Sequence, residues 1–370
     1  MKNLIKKLLF NNITSYMYSF FCFLFSRKAK EPNLDNTLSQ EYIPPSSSCI
    51  TNTKNNNHKY NLQIIVPCFN SEKYLKKCLN SLVNQKTQYT INIILIDDGS
   101  SDGTGEICDD FASRHDRITV IHQQNKGFSQ ARNAGLELVN SDFLMFVDSD
   151  DYLINPYICN KLLEKAYSNK NNKRLIIEFG FRRDKNDKLV GKFRPNNGVL
   201  RESKYNGFAW GKIYSSDLFK NLCFPINYWF EDTFIKLITL FLSNISVYGV
   251  TDCSYAYRVN PNSITSSYKG NLKALDSFYI FKSLLKDAKE LGIQNTKSFR
   301  NAIMWQIVCT HSRIQYLPSE IQKRIFYKTK DLIKEFLGNY SYQYQLLYQA
   351  IIRNKYAAYT KICKFLSKTR

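Results

Sequence analysis

The chain has 370 residues, 44% of them apolar, and a formal net charge of +21. That length admits one large or two modest domains with a sizeable core, and that charge points to nucleic acid, an anionic membrane face or phosphorylated substrates. Ten Cys at irregular spacings, with no C-x-x-C pair, exclude a zinc site and a disulfide framework and fit reduced thiols in a cytosolic compartment.

Residues 1–30 open with Lys2, Lys6 and Lys7, continue into the Phe- and Tyr-rich run Ile13–Phe25 and close on Ser26-Arg27-Lys28. The apolar part is short for a span of about 20 residues, so the expectation is a membrane-interface segment. Residues 31–60 are rich in Pro, Ser, Asn and Thr without a period and read as a linker.

From Leu62 the pattern alternates. Leu62–Val66, Ile91–Ile96 and Ile118–His122 are expected as strands, and Phe143–Val147, a continuous apolar run, as a strand buried on both faces. Helices are expected after Asn70 or Ser71 as N-cap, through Ile107, Cys108 and Phe111, and over Gln130–Val139. Alternating strands and helices imply an α/β domain with a parallel sheet.

Beyond Asp151 the pattern loosens. Tyr157–Ser168 is expected as helix, Arg174–Arg182 as strand and Asp184–Gly198 as a charged turn region. Helices follow at Ser216–Leu222 and from Tyr228 through Leu242, then strands at Ile245–Val250 and Ser254–Arg258. From about residue 271 the chain reads as all-helical, near 272–290, 296–315, 319–337 and 341–367. The resulting division is 1–30, 31–60, an α/β domain 61–270 (halves 61–151 and 152–270) and a basic helical region 271–370.

Each expected strand of the first half ends in polar residues, at the sheet edge where α/β proteins bind ligands. A P-loop is excluded, because no Lys follows Gly99, Gly103 and Gly105 at the required spacing, and the first strand lacks G-x-G-x-x-G. The ordered set Ile64-Ile65-Val66-Pro67-Cys68-Phe69-Asn70-Ser71-Glu72, Asp97-Asp98-Gly99-Ser100, Asn125-Lys126-Gly127, Ala131-Arg132-Asn133 and Asp148-Ser149-Asp150-Asp151 resembles a family 2 glycosyltransferase with a GT-A fold. That fold is a Rossmann-like, mostly parallel sheet flanked by helices, here with a C-terminal helical region. The resemblance is strong over residues 61–170. It continues more weakly through Trp210–Tyr214, Glu231-Asp232 and Tyr255–Arg258 to Ser263-Ile264-Thr265.

The resemblance implies inverting transfer from a nucleotide-diphosphate sugar, commonly a UDP-sugar, with Mn2+ or Mg2+. Phe69 is then a stacking platform for the base, in the same turn as Pro67. Glu72 accepts from a ribose hydroxyl or sits in a first helical turn that favours acids. Asp98 reads base or ribose, while Asp97 supports the turn. Arg132 steadies phosphate oxygens or fixes the Asp pair, and Lys126 is a phosphate contact or a solvated loop charge. Asp150 binds the cation, with Asp148 on the ribose or the metal. Asp232, beside Glu231, is the base that takes the acceptor hydroxyl proton. Arg258 reaches the diphosphate, Trp210 and Trp229 stack on acceptor sugars or belong to the core, and the four His have no partner pattern.

Residues 323–370 hold eleven Lys and Arg against Asp331 and Glu335, with an apolar stripe at Tyr348, Ile352, Tyr356, Tyr359, Cys363 and Leu366. This basic amphipathic stretch is expected on a membrane surface or packed as a solvated helix. Together these readings place the chain in the cytoplasm, peripheral on the inner face of a bacterial cell membrane. Its acceptor would be a glycan or lipid-linked intermediate of capsule, lipopolysaccharide or exopolysaccharide. The charge alone also admits a nucleic-acid binder, although no recognised nucleic-acid motif is present and no nucleic-acid partner is expected. A catalytically silent scaffold of the same fold is the other alternative.

Overall fold

The computed structural model describes residues 23–24, 26, 42–51, 58–169, 174–200, 205–260 and 267–368. Most of the expected membrane-interface segment, and Ser263-Ile264-Thr265, lie outside them. Among the described residues no helix is long and apolar enough to cross a membrane. The chain divides into two units: residues 47–261 with 287–293, and residues 1–46, 262–286 and 294–370.

The first unit is built on one mixed sheet. Its strands are β1 (Tyr60–Cys68), β2 (Ile91–Asp97), β3 (Ile118–His122), β4 (Ser141–Phe146), β5 (Tyr152–Leu153), β6 (Arg174–Lys185), β7 (Lys188–Phe193), β8 (Gly198–Val199), β9 (Lys212–Ser215) and β10 (Ile245–Arg258). The order is β3-β2-β1-β4-β9-β6-β10-β5, with β7 on β6 and β8 on β10. The β3-β2-β1-β4 ladder is wholly parallel, and β10 also runs parallel to β6. Leu62, Ile64, Ile65 and Val66 of β1 are all fully buried. A continuous apolar run suits this strand, because helices α1 (Glu72–Val83), α2 (Thr104–Arg114), α3 (Phe128–Glu137) and α4 (Ile158–Tyr167) cover the sheet.

Register sets the site. Cys68 of β1 pairs Asp97 of β2, and Ile65 pairs Phe146 of β4. Continued two residues, the second pairing brings Asp148 level with Pro67. The segments after β1, β2 and β4 therefore leave the sheet at one edge. Helix α3 lies close on β1: a Cβ at Gly135 would stand 2.4 Å from Cγ2 of Ile65. Only a residue without a side chain fits there.

Several expectations are corrected. Residues 184–198 are not a plain turn region, since β6 and β7 form a hairpin turning at Asn186 and Asp187, both at positive φ. The helix expected over 228–242 shrinks to α5 (Thr233–Leu237) and a 3-10 turn at Thr239–Phe241, because Asn227 and Phe230 take positive φ and break the run. The strands expected at 245–250 and 254–258 are one strand, β10, carried through register shifts between Val250 and Tyr255. Neither Asn70 nor Ser71 caps α1 with its side chain. Asn70 has φ 44, and the Glu72 amide donates to Asp102 instead. The helix at Ser216–Leu222 is a single 3-10 turn, Ser216–Phe219.

The second unit is helical. Its elements are α6 (Asp276–Glu290, whose last residues belong to the first unit), α7 (Lys297–Ile314), α8 (Ser319–Leu337), α9 (Gln345–Ile352) and α10 (Tyr356–Lys368). Helix α7 packs on α8 and α10, and α9 packs on α8 and α10. The single segment expected over 341–367 is two helices, divided at Asn354 with φ 56.

Candidate active site

The turn after β1 presents Phe69 with 49% of its surface exposed, so it is not a core ring. Pro67 beside it is half-buried. The next residues are tied to the turn after β2. The Asn70 amide donates to Ser100 Oγ at 3.1 Å, the Ser101 amide donates to Asn70 Oδ1 at 2.8 Å, and the Gly103 amide donates to Glu72 Oε2 at 3.0 Å. One Glu72 oxygen thus accepts a loop amide, and a Cβ at Gly103 would stand 2.9 Å from its carboxyl carbon.

Asp98 is 2% exposed. Its Oδ1 accepts from Gln123 Nε2 (2.6 Å) and the Lys126 amide (2.9 Å), and its Oδ2 accepts from the Gly127 amide (2.8 Å). A carboxylate has about four acceptor positions, so three serve the loop that opens α3. The expected contact with base or ribose is left the fourth. Lys126 has an exposed side chain. Asp97 supports its turn, accepting from the Ser100 amide at 3.1 Å.

The expectation that the four His lack partners is corrected. His122 Nδ1 lies 2.9 Å from Asp97 and its Nε2 3.1 Å from Asp109, and the two carboxylates, against a smaller opposing effect of burial, raise its pKa. His122 and Asp97 are register partners on β3 and β2, a relation that no sequence spacing reveals.

Arg132, one turn into α3, is 6% exposed. Its Nη2 donates to Asp148 Oδ1 at 2.9 Å and its Nη1 to Glu231 Oε1 at 2.5 Å. The guanidinium carbon also lies 5.5 Å from the Phe224 ring centre and 5.8 Å from that of Phe128. Of the two roles open to Arg132, fixing the acidic loop is the one this geometry displays. Burial opposes its charge, but Asp148 and Glu231 more than offset that and hold its pKa above the usual arginine value. Burial pushes the Glu231 carboxyl up to about 7 despite Arg132.

Asp148, Ser149 and Asp150 follow β4 and are half-buried. The Asp148 amide donates to the Tyr255 hydroxyl at 3.2 Å. Burial, then the neighbouring Asp148 charge, pushes the Asp150 carboxyl up to about 6. Asp151 faces inward, 1% exposed, and accepts the Arg258 amide at 2.7 Å. Arg258 is itself engaged. Its Nε donates to the Asp150 carbonyl at 2.9 Å, and its Nη1 lies 3.6 Å from the buried Asp184. In these contacts it braces the acidic loop.

Among the described residues no three His, Cys, Asp or Glu side chains converge as a metal cage. Asp148 and Asp150 still fit a hard divalent cation that takes most of its oxygens from diphosphate and water. The raised Asp150 pKa shows what a cation would relieve, two carboxylates crowded in a partly buried loop.

On the other side, Glu231 and Asp232 lead into α5, Asp232 at its N-cap position and half-buried. Trp210 is core rather than surface. It stacks on Tyr255 with centroids 4.5 Å apart and planes at 10°. Trp229 is half-buried, with its ring edge-on to Phe230. The site residues that sequence reasoning passed over are Glu178 and Lys212, both 0% exposed, and Phe208.

A mostly parallel sheet carrying an exposed ring, a carboxylate-fastened loop and an acidic pair at one edge has the GT-A architecture of nucleotide-sugar transferases. Residues 63–220 match the model of the family described as Glycosyl transferase family 2. The chain is 34% identical over 220 residues to the uncharacterized glycosyltransferase EpsJ of Bacillus subtilis, covering 55% of this chain and 62% of EpsJ. It is 32% identical over 219 residues to the glycosyltransferase GlyA of Streptococcus pneumoniae, covering 55% of this chain and 31% of GlyA. The match thus spans less than two thirds of either relative. Among solved structures, residues 1–349 of S. aureus TarS in complex with UDP superpose with a TM-score of 0.59 at 19% identity, covering 84% of this chain and 92% of that one. That likeness is one of fold.

Proposed function

We propose that the chain transfers a sugar, with inversion, from a nucleotide-diphosphate sugar to a glycan or lipid-linked acceptor in bacterial surface-polysaccharide synthesis. The match of residues 63–220 to the family model supports sugar transfer. The observation that carries the assignment of roles is the Arg132 bridge. One buried cation ties Asp148, on the donor side, to Glu231, next to the base.

In this reading Phe69 stacks on the nucleobase, beside Pro67 and Glu72. Asp98 holds the 123–127 loop and offers its remaining acceptor position to the nucleoside, with Lys126 near the phosphates. Asp150 and Asp148 hold Mn2+ or Mg2+. The bound cation neutralises charge building on the departing nucleoside diphosphate. Asp232 takes the proton of the attacking hydroxyl, and its position at the head of a helix places an acid where the backbone amides favour one. Arg258 and Arg132 keep the acidic loop in place. The donor to test first is a UDP-sugar, the nucleotide of the TarS complex. The basic run from Lys323 to Arg370 supports a peripheral site on the inner face of the membrane.

The test is a panel of nucleotide sugars assayed for Mn2+- or Mg2+-dependent release of nucleoside diphosphate. Asp150→Ala, with folding kept, is expected to abolish release. Asp232→Asn is expected to bind donor normally and not transfer. Normal transfer by Asp232→Asn would remove the base assignment, and metal-independent turnover by Asp150→Ala would remove the cation.

A further inference from the structure

Lys212 is 0% exposed and belongs to no part of the donor site. A buried ammonium costs several kcal/mol unless it is paired and hydrogen-bonded. Its partners lie mostly in one loop. Nζ donates to Asn206 Oδ1, to the Phe208 carbonyl at 2.7 Å and to the Trp210 carbonyl at 3.3 Å. It also sits 4.9 Å from the centre of the Tyr205 ring. Glu178, equally buried, grips the same loop from β6, accepting from Asn206 Nδ2 at 2.7 Å and from its amide at 3.3 Å. From the far side, Lys236 of α5 donates to the Tyr205 carbonyl.

This loop leans on the base. A Cβ at Gly207 would stand 3.9 Å from the Asp232 carbonyl oxygen and 3.5 Å from Cβ of Lys236. The next residue, Phe208, is 37% exposed. It caps an aromatic column, lying flat on Trp210 at 4.5 Å and 5°, with Trp210 flat on Tyr255 at 4.5 Å and 10°. Tyr255 ends the column at the Asp148 amide. A large apolar ring held open to solvent at the top of a rigid stack is a preorganised contact surface. A pyranose ring has an apolar C–H face of matching size.

We propose that Phe208 is the platform on which an acceptor's sugar ring stacks beside Asp232, and that Lys212 is a positioning residue whose buried ammonium sets the height and tilt of that platform. The proposal rests on the sugar-transfer reading above. It names the surface that receives the acceptor's ring.

The charge state of Lys212 supplies a signature. Burial pulls its pKa down to about 8, with Glu178 and Asp232 working against that pull. The groups facing it are Glu178 from β6, Asp232 at the N-cap of α5 and the Tyr205 ring, with Lys236 of the last turn of α5 against the same ring and Tyr214 beside Tyr205 and Glu178. Above pH 8 the neutral amine has two donors for three acceptors, so the platform loosens. Fold stability does not fall with it. The lowered folded-state pKa means that the unfolded chain binds more protons between about pH 8 and 10.5, and in that window this group's contribution to stability rises with pH.

The test uses the full chain with a panel of p-nitrophenyl glycosides as acceptor probes. The wild type is expected to consume donor faster with at least one of them. Phe208→Ala is expected to raise the half-saturating glycoside concentration about tenfold while the half-saturating donor concentration stays put. Lys212→Met should do the same, with Lys212→Arg recovering part of the loss. In a Trp229→Phe, Trp305→Phe background, Trp210 emission should shift with a midpoint near pH 8, and Lys212→Met should abolish the shift. Unchanged glycoside saturation in Phe208→Ala, or a wild type that turns over donor but ignores every glycoside, overturns the platform. Trp210 emission flat from pH 7 to 10, or titrating equally in Lys212→Met, overturns the role of Lys212. A wild type inert toward all donors would instead sink the transfer reading, and the emission titration would still decide what Lys212 does.

Discussion

Arg132 and Glu231 stand 99 positions apart in the chain and meet at 2.5 Å, while the other arm of the same guanidinium holds Asp148 at 2.9 Å. Two acids from separate elements are thereby fixed relative to one another by a single planar fork. A lysine ammonium has no such fork. The price of the arrangement is burial of three charges, so each partner depends strongly on the others.

Arg132→Met should therefore leave two partly buried carboxylates facing one another without a cation. A loss of about 3–5 kcal/mol is expected for breaking a buried pair in this way, read by urea unfolding at pH 7.5. Donor turnover should fall at least about 100-fold. Arg132→Lys can reach one acid but not both, and should recover stability more than activity. Wild-type turnover in Arg132→Lys would show that bridging is unnecessary.

Asp98 should act through its loop as much as through any ligand. Asp98→Ala deprives the Gln123 side chain and the Lys126 and Gly127 amides of their acceptor. Hydrogen bonds to a charged group contribute about 1.5–3 kcal/mol each, so the segment opening α3 should loosen. Amide hydrogen exchange at residues 125–129 should quicken in Asp98→Ala, together with weaker donor binding. Unaltered exchange there, with donor binding lost, would assign Asp98 to direct ligand contact alone.

How far these relations were legible depended on their range. The strands β1, β2 and β4 were readable because both of their faces are largely apolar and buried, which leaves one interpretation for Ile64-Ile65-Val66 or Phe143–Val147. The acids at their ends were readable from the order of motifs. The hairpin of β6 and β7 was not, since Lys188–Phe193 is an exposed edge strand whose charged side chains look like a turn. Pairings across the sheet were equally hidden. His122 with Asp97, Arg132 with Glu231 and Lys212 with Glu178 are set by register and crossover, and neither leaves a local spacing. The only sequence sign of Lys212 was its place in Trp210–Tyr214, a stretch read as a weaker part of the resemblance, with no strand expected where β9 runs.

Gly135 carries a prediction about packing alone. Its missing side chain lets α3 settle on β1, and a Cβ there would meet Ile65 Cγ2 at 2.4 Å, with further Ile65 carbons at 3.2 and 3.3 Å. Those contacts are with a fully buried side chain that has no room to retreat. Gly135→Ala should cost about 1–3 kcal/mol of stability by overpacking, although alanine is the better helix former by about 1 kcal/mol. Because Arg132 rides on the same helix, turnover should drop as well. Pairing with Ile65→Ala, which removes all three of these carbons, should restore part of the turnover. A Gly135→Ala protein as stable as wild type would show that α3 does not need its close approach.

The helical unit offers a separate test by pH. His311 is 2% exposed on α7, stacked on Tyr359 of α10 at 5.2 Å and 18°, with Nε2 3.3 Å from the Thr360 carbonyl. Burial, with Lys364 adding to it, lowers its pKa to about 4. The unfolded chain, with an ordinary imidazole near 6.5, binds the proton more readily than the folded one. This contribution to stability is accordingly complete above pH 6.5 and disappears as pH falls toward 4, at up to about 1.4 kcal/mol per pH unit. His311→Phe keeps the stack and removes the titration. The stability difference between variant and wild type should therefore shift in favour of the variant by about 3 kcal/mol between pH 7 and pH 4, measured by urea unfolding of the full chain. A difference that stays constant across that range would mean that His311 is protonated as easily folded as unfolded, and that its place against Tyr359 carries no penalty for charge.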